Sequence, residues 1–455
     1  MNFISVEFWM LVAVTVLGCW LCRSQKGKLI IISFTSCVFY IWWDYRFFIL
    51  LTAYITVTYI ITLVMKPGKK RYAAAFVVLS LLLLGGFKYF NFFIETWNGL
   101  IGTGHQTLKI ILPLGISFYI LTAIGYVLDI YWGKYEAERN YLKVFVFLTF
   151  FPKLSSGPIE RGSQFFAKLE HIEAITRERC SVGLQIVIMG LIKKMVIADR
   201  LGVCVDAVFG NPEIYAAPAL LCAALSYTIQ IYCDFAGYTD IAIGVSHLIG
   251  IPLDKNFNLP YCAKNPSDFW RRWHISLSTW FRDYVYIPLG GSRKKGYRNI
   301  MLTMLVSGLW HGANWTFILW GGLHGAAQCL FKRFSRKRQK YPGLGMALNF
   351  IFVTCAWIFF RAESVSAGFG ILAGIIKWQR GVQYIYVFTP IYLLLVLGAE
   401  YWSYYKNNGQ GYYPLLDLRK PVHVGIFTAE ILLLAALAYF GNSAFIYNRF
   451  LEEEV

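Results

Sequence analysis

Ile300-Met-Leu-Thr-Met-Leu-Val-Ser-Gly-Leu-Trp310-His-Gly-Ala-Asn-Trp315-Thr-Phe-Ile-Leu-Trp-Gly-Gly-Leu-His-Gly-Ala-Ala-Gln-Cys-Leu330 is an apolar run broken at its centre by an ionisable residue, His311. Basic residues flank it on both sides, Arg293 to Arg298 before and Lys332 to Lys340 after. Clusters of Lys and Arg beside apolar segments mark cytoplasmic loops. If both flanks are cytoplasmic, the run must enter and leave the membrane on one side. A helix from Ile300 to Trp310 rises about 17 Å at 1.5 Å per residue, roughly half of an about 30 Å hydrocarbon core. His311 then falls near the midplane, at a turn made by Gly312. Irregular backbone at that depth is tolerated only when it is buried in protein or lines a watery cavity. The alternative geometry is one long tilted helix with an external basic loop.

The rest of the chain belongs to the same class. Of 455 residues, 57% are hydrophobic and 15% charged, with a mean hydropathy of +0.51, too apolar for a solvated surface. Uncharged stretches recur at Phe47 to Met65, Ala73 to Phe87, Ile110 to Leu128, Leu344 to Phe360 and Val422 to Ala429, the last continuing to Phe440. They predict an all-α, polytopic membrane protein of about eleven transmembrane helices plus re-entrant or half-span helices. The net charge of +18 would suggest nucleic-acid binding in a soluble chain. Here Arg23 to Lys28, Lys66 to Arg71 and Lys332 to Lys340 each adjoin an apolar run, so the charge reads as topology and attraction to anionic lipid, with the bilayer as partner and no nucleic acid. That placement puts the N-terminus outside, with Trp43 to Arg46 and the loop near Glu95 to His105. Met1 to Cys22 lacks a basic start and carries Glu7, so it is read as a retained first span. Ten cysteines lie mostly in apolar runs, as small buried hydrophobes.

The chain divides by texture within one membrane-embedded domain. Residues 1–140 read as scaffold helices, 141–330 as the core that carries chemistry, and 331–455 as closing scaffold with an acidic tail at Glu452 to Glu454. Leu142 to Pro152 is too short to span and is expected to dip in and return. No inverted repeat of the transporter kind is visible.

Three constellations carry the candidate chemistry. Around His311, Gly308, Gly312 and Ala313 permit close backbone approach, Ser307 and Asn314 offer polar partners, and Trp310 and Trp315 supply apolar walls. A neutral imidazole in such a pocket is the form a general base needs; a hydrogen-bonded structural histidine is the plainer reading. His274 lies in Phe269-Trp-Arg-Arg-Trp-His-Ile-Ser-Leu-Ser-Thr-Trp280, with Ser278 one turn on and Trp273 and Trp280 on one helical face. This is either an interfacial helix or a site in which Arg271 and Arg272 hold donor phosphates. The third is Gln230-Ile-Tyr-Cys-Asp234-Phe-Ala-Gly-Tyr238-Thr-Asp240-Ile-Ala-Ile-Gly244. Asp234 and Asp240 fall on opposite faces of a straight helix, as proton-relay groups or, preferentially, as ion-pair partners of Arg271, Arg272 and Arg282. His324 is read as structural. No zinc-ligand spacing, GxSxG elbow, P-loop or nucleotide fingerprint occurs, so no metal and no bound cofactor are expected.

In order, Gly157-Pro-Ile, Asp234-Phe-Ala-Gly-Tyr-Thr-Asp, Asn265-Pro-Ser-Asp-Phe-Trp-Arg-Arg-Trp-His274, Tyr286-Ile-Pro-Leu-Gly-Gly-Ser292 and Gly308-Leu-Trp-His-Gly-Ala-Asn-Trp315 resemble the membrane-bound O-acyltransferase family. The likeness is greatest to its bacterial branch of alginate and peptidoglycan O-acetyltransferases. The D-alanyl transfer protein of teichoic-acid modification is a more distant relative. The resemblance implies a ring of transmembrane helices around a thinned centre, with a tunnel joining the two sides of a bacterial inner membrane. It matches His311 to the family's catalytic histidine and His274 to its second. It implies acyl transfer from a cytoplasmic thioester, acetyl-CoA or an acyl-carrier protein, to a hydroxyl on the outer side. There a secreted or membrane-tethered SGNH-type serine acetyltransferase partner, or a polysaccharide itself, receives the group. His311 would be the general base; His274 would orient the donor or stabilise the oxyanion; Arg271, Arg272 and Arg282 would reach its phosphates. Two other classes remain open on the residues alone, a transporter of an acylated carrier or small anion and a non-catalytic recruiting scaffold.

Overall fold

The computed structural model describes residues 3–334, 341–411, 413 and 415–440. The acidic tail and residues 335–340 of the second basic flank lie outside them. The regular structure of the described residues is all helical, with no strand beyond one isolated bridge between Tyr215 and Val382. Among the described residues five helices are long and apolar enough to cross a membrane, Tyr45–Val64, Lys70–Ile101, Arg177–Gly210, Ala217–Ile249 and Pro342–Arg361; four shorter apolar helices join them. This is a multi-pass membrane protein.

Ala217–Ile249 is the axis. Its 33 residues are apolar on every side and almost all buried, as expected of a helix surrounded by others. Arg177–Gly210 runs against it along a glycine seam. A Cβ on Gly190 would lie 2.7 Å from the Gly237 carbonyl oxygen, and one on Gly244 would lie 2.6 Å from that of Gly183. In lipid there is no hydrophobic drive between helices, and small residues that let backbones touch supply van der Waals contact instead.

The segment around His311 forms a helical hairpin. Gly296–His311 ends where Gly312 is extended (φ −166°, ψ 158°), and Trp315–Phe334 doubles back along it. Gly308 abuts the Phe317 carbonyl, Gly321 that of Met304, and Gly325 the side chain of Met301. These pairs advance along one helix as they retreat along the other, which excludes the single long helix. The first arm starts at Gly296, so it is about 24 Å long at 1.5 Å per residue, more than the half-span expected.

Other boundaries differ from the sequence reading for local reasons. Pro113 and left-handed Gly115 (φ 69°) keep residues 110–115 out of the helix, which begins at Ile116. Glu95 is still helical, within Phe90–Ile101. Leu142 to Pro152 is two short buried helices, Tyr141–Thr149 and Phe151–Leu154, bent at Phe150. Pro266–Arg272 and Ile275–Phe281 are separate helices because His274 adopts a left-handed conformation (φ 43°) between them. Trp273 and Trp280 therefore do not share a helical face, contrary to expectation.

Gly190→Leu is expected to cost at least about 1–3 kcal/mol through overpacking and to lower the yield of monodisperse protein in detergent. Gly99→Ala, which has no atom within 4 Å of its added Cβ, should leave the melting temperature unchanged or slightly raised.

Candidate functional site

The last four carbonyls of a helix have no partner within it. Those of Gly296–His311 end in the interior, and the helix Lys70–Ile101 supplies donors to the last three of them. Lys88 Nζ lies 2.5 Å from the Trp310 oxygen, 3.3 Å from that of His311 and 3.4 Å from Ser117 Oγ. Tyr89 donates its hydroxyl to the Leu309 oxygen at 2.8 Å. A π-turn, Gly85–Tyr89, swings these side chains inward, and the cation matches the negative end of the helix dipole. The sequence reading passed over Lys88, which ends the uncharged run at Phe87. A lone lysine between Phe87 and Tyr89 in an apolar stretch was the available signal.

His311, 3% exposed, stands in an aromatic box. Its ring centroid is 5.1 Å from Trp310, 5.1 Å from Trp320 and 5.3 Å from Phe360. His274 approaches Trp310 from elsewhere at 6.3 Å and meets the edge of Phe235 at 4.6 Å. The indole of Trp310 thus touches both imidazoles. His324 joins them: its ring is 4.9 Å from Trp320 and its Nδ1 accepts from Trp270 Nε1 at 3.3 Å. On one continuous helix it would point away from His311; the hairpin turns it back.

Two cavities lie near this cluster, the larger lined by Trp270, which bonds His324, and the smaller by Trp310 and His311. The larger, of about 600 Å³, is lined by Arg271, Arg282 and Lys332 at its basic part, by Ser278 and Thr279, and by Thr303 and Ser307. Ser307 is one helical turn before His311. The smaller, about 30 Å³, is lined by His311, Trp310, Lys88, Ser117 and Ser155, enough for a water or a hydroxyl-sized group.

Comparison with known proteins identifies the family. Residues 137–367, which contain His274, His311 and His324, match the model of MBOAT, the membrane-bound O-acyltransferase family. The chain is 37% identical over 393 residues to a probable alginate O-acetylase of Azotobacter vinelandii, covering 83% of this chain and 78% of that protein. The chain belongs to the membrane-bound O-acyltransferase family. It is also similar to the peptidoglycan O-acetyltransferase of Helicobacter pylori, at 35% over 380 residues (75% of this chain, 72% of that protein). A teichoic acid D-alanyltransferase of Bacillus subtilis is 31% identical over 258 residues (53% and 64%). The protein is therefore an acyltransferase.

In this membrane-bound O-acyltransferase the remaining candidates separate into those beside the cavities and those tied up elsewhere. Arg271, Arg282 and Ser278 line the larger cavity; Ser278 also donates to the Trp273 oxygen at 3.0 Å, and Arg282 bridges Asp283 at 2.8 Å. Arg272 does not reach that cavity: it binds Asp268 and the carbonyls of Asn258 and Gly409, each at 3.1 Å. Trp273 is wall, 5.0 Å from both Phe257 and Trp357. Asn314 serves the hairpin turn, accepting from Thr316 N at 2.9 Å and donating to the Glu363 oxygen at 3.3 Å.

The expected partners of Asp234 and Asp240 are corrected. Lys194 Nζ sits 2.6 Å from Asp234 and 2.7 Å from Asp199, and Lys193 Nζ sits 2.6 Å from Asp240. Asp240 also accepts from the Tyr413 hydroxyl at 2.8 Å, and the Tyr238 ring lies 5.3 Å from Lys194 Nζ. Arg272 and Arg282 pair instead with Asp268 and Asp283, and adjacent lysines on the π-segment Ile192–Ala198 reach both faces of the axial helix. Among the described residues no cluster of three His, Cys, Asp or Glu is arranged to hold a metal.

Lys88→Met should leave the Trp310 and His311 carbonyls short of donors, at a cost of about 1–3 kcal/mol for each buried group stranded, read as a lowered melting temperature in detergent. Lys88→Arg should recover part of the loss.

Proposed function

We propose that the protein transfers an acyl group, most simply acetyl, from a cytoplasmic thioester to a hydroxyl presented on the outer side of a bacterial inner membrane. The observation that supports this best is the position of His311, which borders a hydroxyl-sized cavity one helical turn beyond the end of a much larger cavity with a basic lining. Thioester donors carry phosphates on a long flexible arm, and Arg271, Arg282 and Lys332 suit phosphate recognition. The polar groups deeper in, Thr303 and Ser307, suit the arm's amides.

His311 is the general base in this reading. It takes the proton of the acceptor hydroxyl as the oxygen attacks the thioester carbon. The C–S bond breaks, and the proton ends on the departing thiolate. Such proton transfer is worth about 10² to 10⁴ in rate. His274 supports the step from the other edge of Trp310. Arg272, Asp234, Tyr238 and Asp240 are assigned to structure.

We read the bundle as one membrane-embedded unit of about eleven crossings, with the N-terminus outside and a tunnel past His311. Acetyl-CoA is the preferred donor, with an acyl-carrier protein as the other thioester. The relatives named for acetylating alginate and peptidoglycan favour an exported or cell-wall polysaccharide as the final acceptor. A secreted or tethered SGNH-type serine acetyltransferase would carry the group onward.

In nanodiscs with a labelled acyl thioester, His311→Ala should abolish transfer, a fall of at least about 10²-fold, while leaving the melting temperature within a few degrees. Transfer that persists in this variant would remove the assignment, and flux without thioester cleavage would point to a transporter. Arg271→Ala with Arg282→Ala should raise the donor KM by about tenfold or more, as expected for lost charge-assisted hydrogen bonds, with kcat little changed. A kcat effect alone would move the donor phosphates elsewhere.

A further inference from the structure

Asn256 grips the turn that carries His274. Its main-chain oxygen accepts from Ile275 N at 2.9 Å. Its Oδ1 accepts from Ser276 N at 3.1 Å and from Ser276 Oγ at 2.9 Å, and it lies 3.2 Å from His274 Nδ1. Asn256 is 1% exposed and His274 not exposed at all. His274 itself has φ 43°, a conformation that a non-glycine residue holds only when its surroundings impose it.

This geometry decides where the proton on His274 sits. A backbone N–H can only donate, so the Asn256 atom facing Ser276 N is the amide oxygen, not the nitrogen. The ring nitrogen opposite that oxygen must then be the donor. A neutral imidazole carries one N–H, which leaves Nε2 with a lone pair. Nε2 is buried and makes no hydrogen bond among the described residues.

We propose that Asn256 is a positioning residue for acyl transfer, holding His274 as the Nδ1–H tautomer so that Nε2 meets the reacting groups as an acceptor. A neutral His274 therefore does not donate to the oxyanion. Its bare Nε2 accepts a hydrogen bond from the reacting groups while His311 takes the hydroxyl proton, which still ends on the thiolate. The inference rests on the acyl-transfer reading above, and its test separates the two.

Nitrogen-15 NMR of histidine-labelled protein in nanodiscs, with the His274 signals assigned by their loss in His274→Gln, reads the tautomer without any turnover. A protonated Nδ1 and bare Nε2 are expected in the unsubstituted protein; a protonated Nε2 overturns the proposal. Asn256→Leu should release the ring to the other tautomer and lower kcat by on the order of 10²-fold or more, as misplacing a catalytic histidine's proton does, with the donor KM little changed. Asn256→Asp, which keeps an oxygen acceptor, should retain the tautomer and most of the rate. Full activity in a folded Asn256→Leu variant whose tautomer has switched also overturns it. Transfer that survives His311→Ala would strike the acyl-transfer mechanism instead, and would leave the NMR result standing.

Discussion

A helix that stops inside an apolar interior needs outside donors for its last carbonyls, and this protein is organised around meeting that need at His311. Lys88 and Tyr89 supply them, which requires Lys70–Ile101 to pass beside the hairpin tip. The hairpin can close only because Gly308 and Gly321 let its arms meet at backbone distance. The aromatic box is a product of that closure: Trp310 comes from one arm, Trp320 and His324 from the other, and Trp357 and Phe360 from the next helix. An imidazole is thereby fixed by backbone as well as by its own contacts.

The buried charges follow a second logic. Lys194, Asp199 and Asp234 are nearly unexposed, and stranding one of such a set in an apolar interior is far more costly than keeping the set together. In the proposed thioester-to-hydroxyl transfer one proton passes from oxygen to sulfur and none is needed from the bulk. An intramembrane acid is therefore not required as a relay, and the lysines beside Asp234 and Asp240 suffice to explain why carboxylates persist there.

How much was legible in the sequence depended on how local the cause was. The break at Gly312 and the oddity of His311 follow from residues within a turn or two of one another; the bend at left-handed Gly115 and the long axial helix Ala217–Ile249 were not read from the sequence. His324, Asn256, Lys88 and the lysine partners of the acids depend on which elements meet. A helical phase counted through Gly312 places His324 wrongly because the chain reverses there. Arg271, Arg272 and Arg282 were plausible partners for the acids by charge alone, but Lys193 and Lys194 lie on a neighbouring helix closer to them. Asn256 sits in a loop after the axial helix, and nothing nearby in sequence announces that it holds a histidine eighteen positions later.

Three π-turns, Gly85–Tyr89, Ile192–Ala198 and Arg282–Tyr286, each carry a cation that the structure uses: Lys88, the Lys193–Lys194 pair and Arg282. A π-turn holds an extra residue relative to an α-turn. Removing that residue would turn the wide turn into an ordinary α-turn, so the side chains beyond it would keep nearly their present bearing while those within the turn, the cation among them, would be displaced. A single-residue deletion at such a turn is therefore a local change, felt by the cation the turn carries rather than by the rest of the helix. A related chain that lacks one of these turns must recruit its cation from another position in the helix.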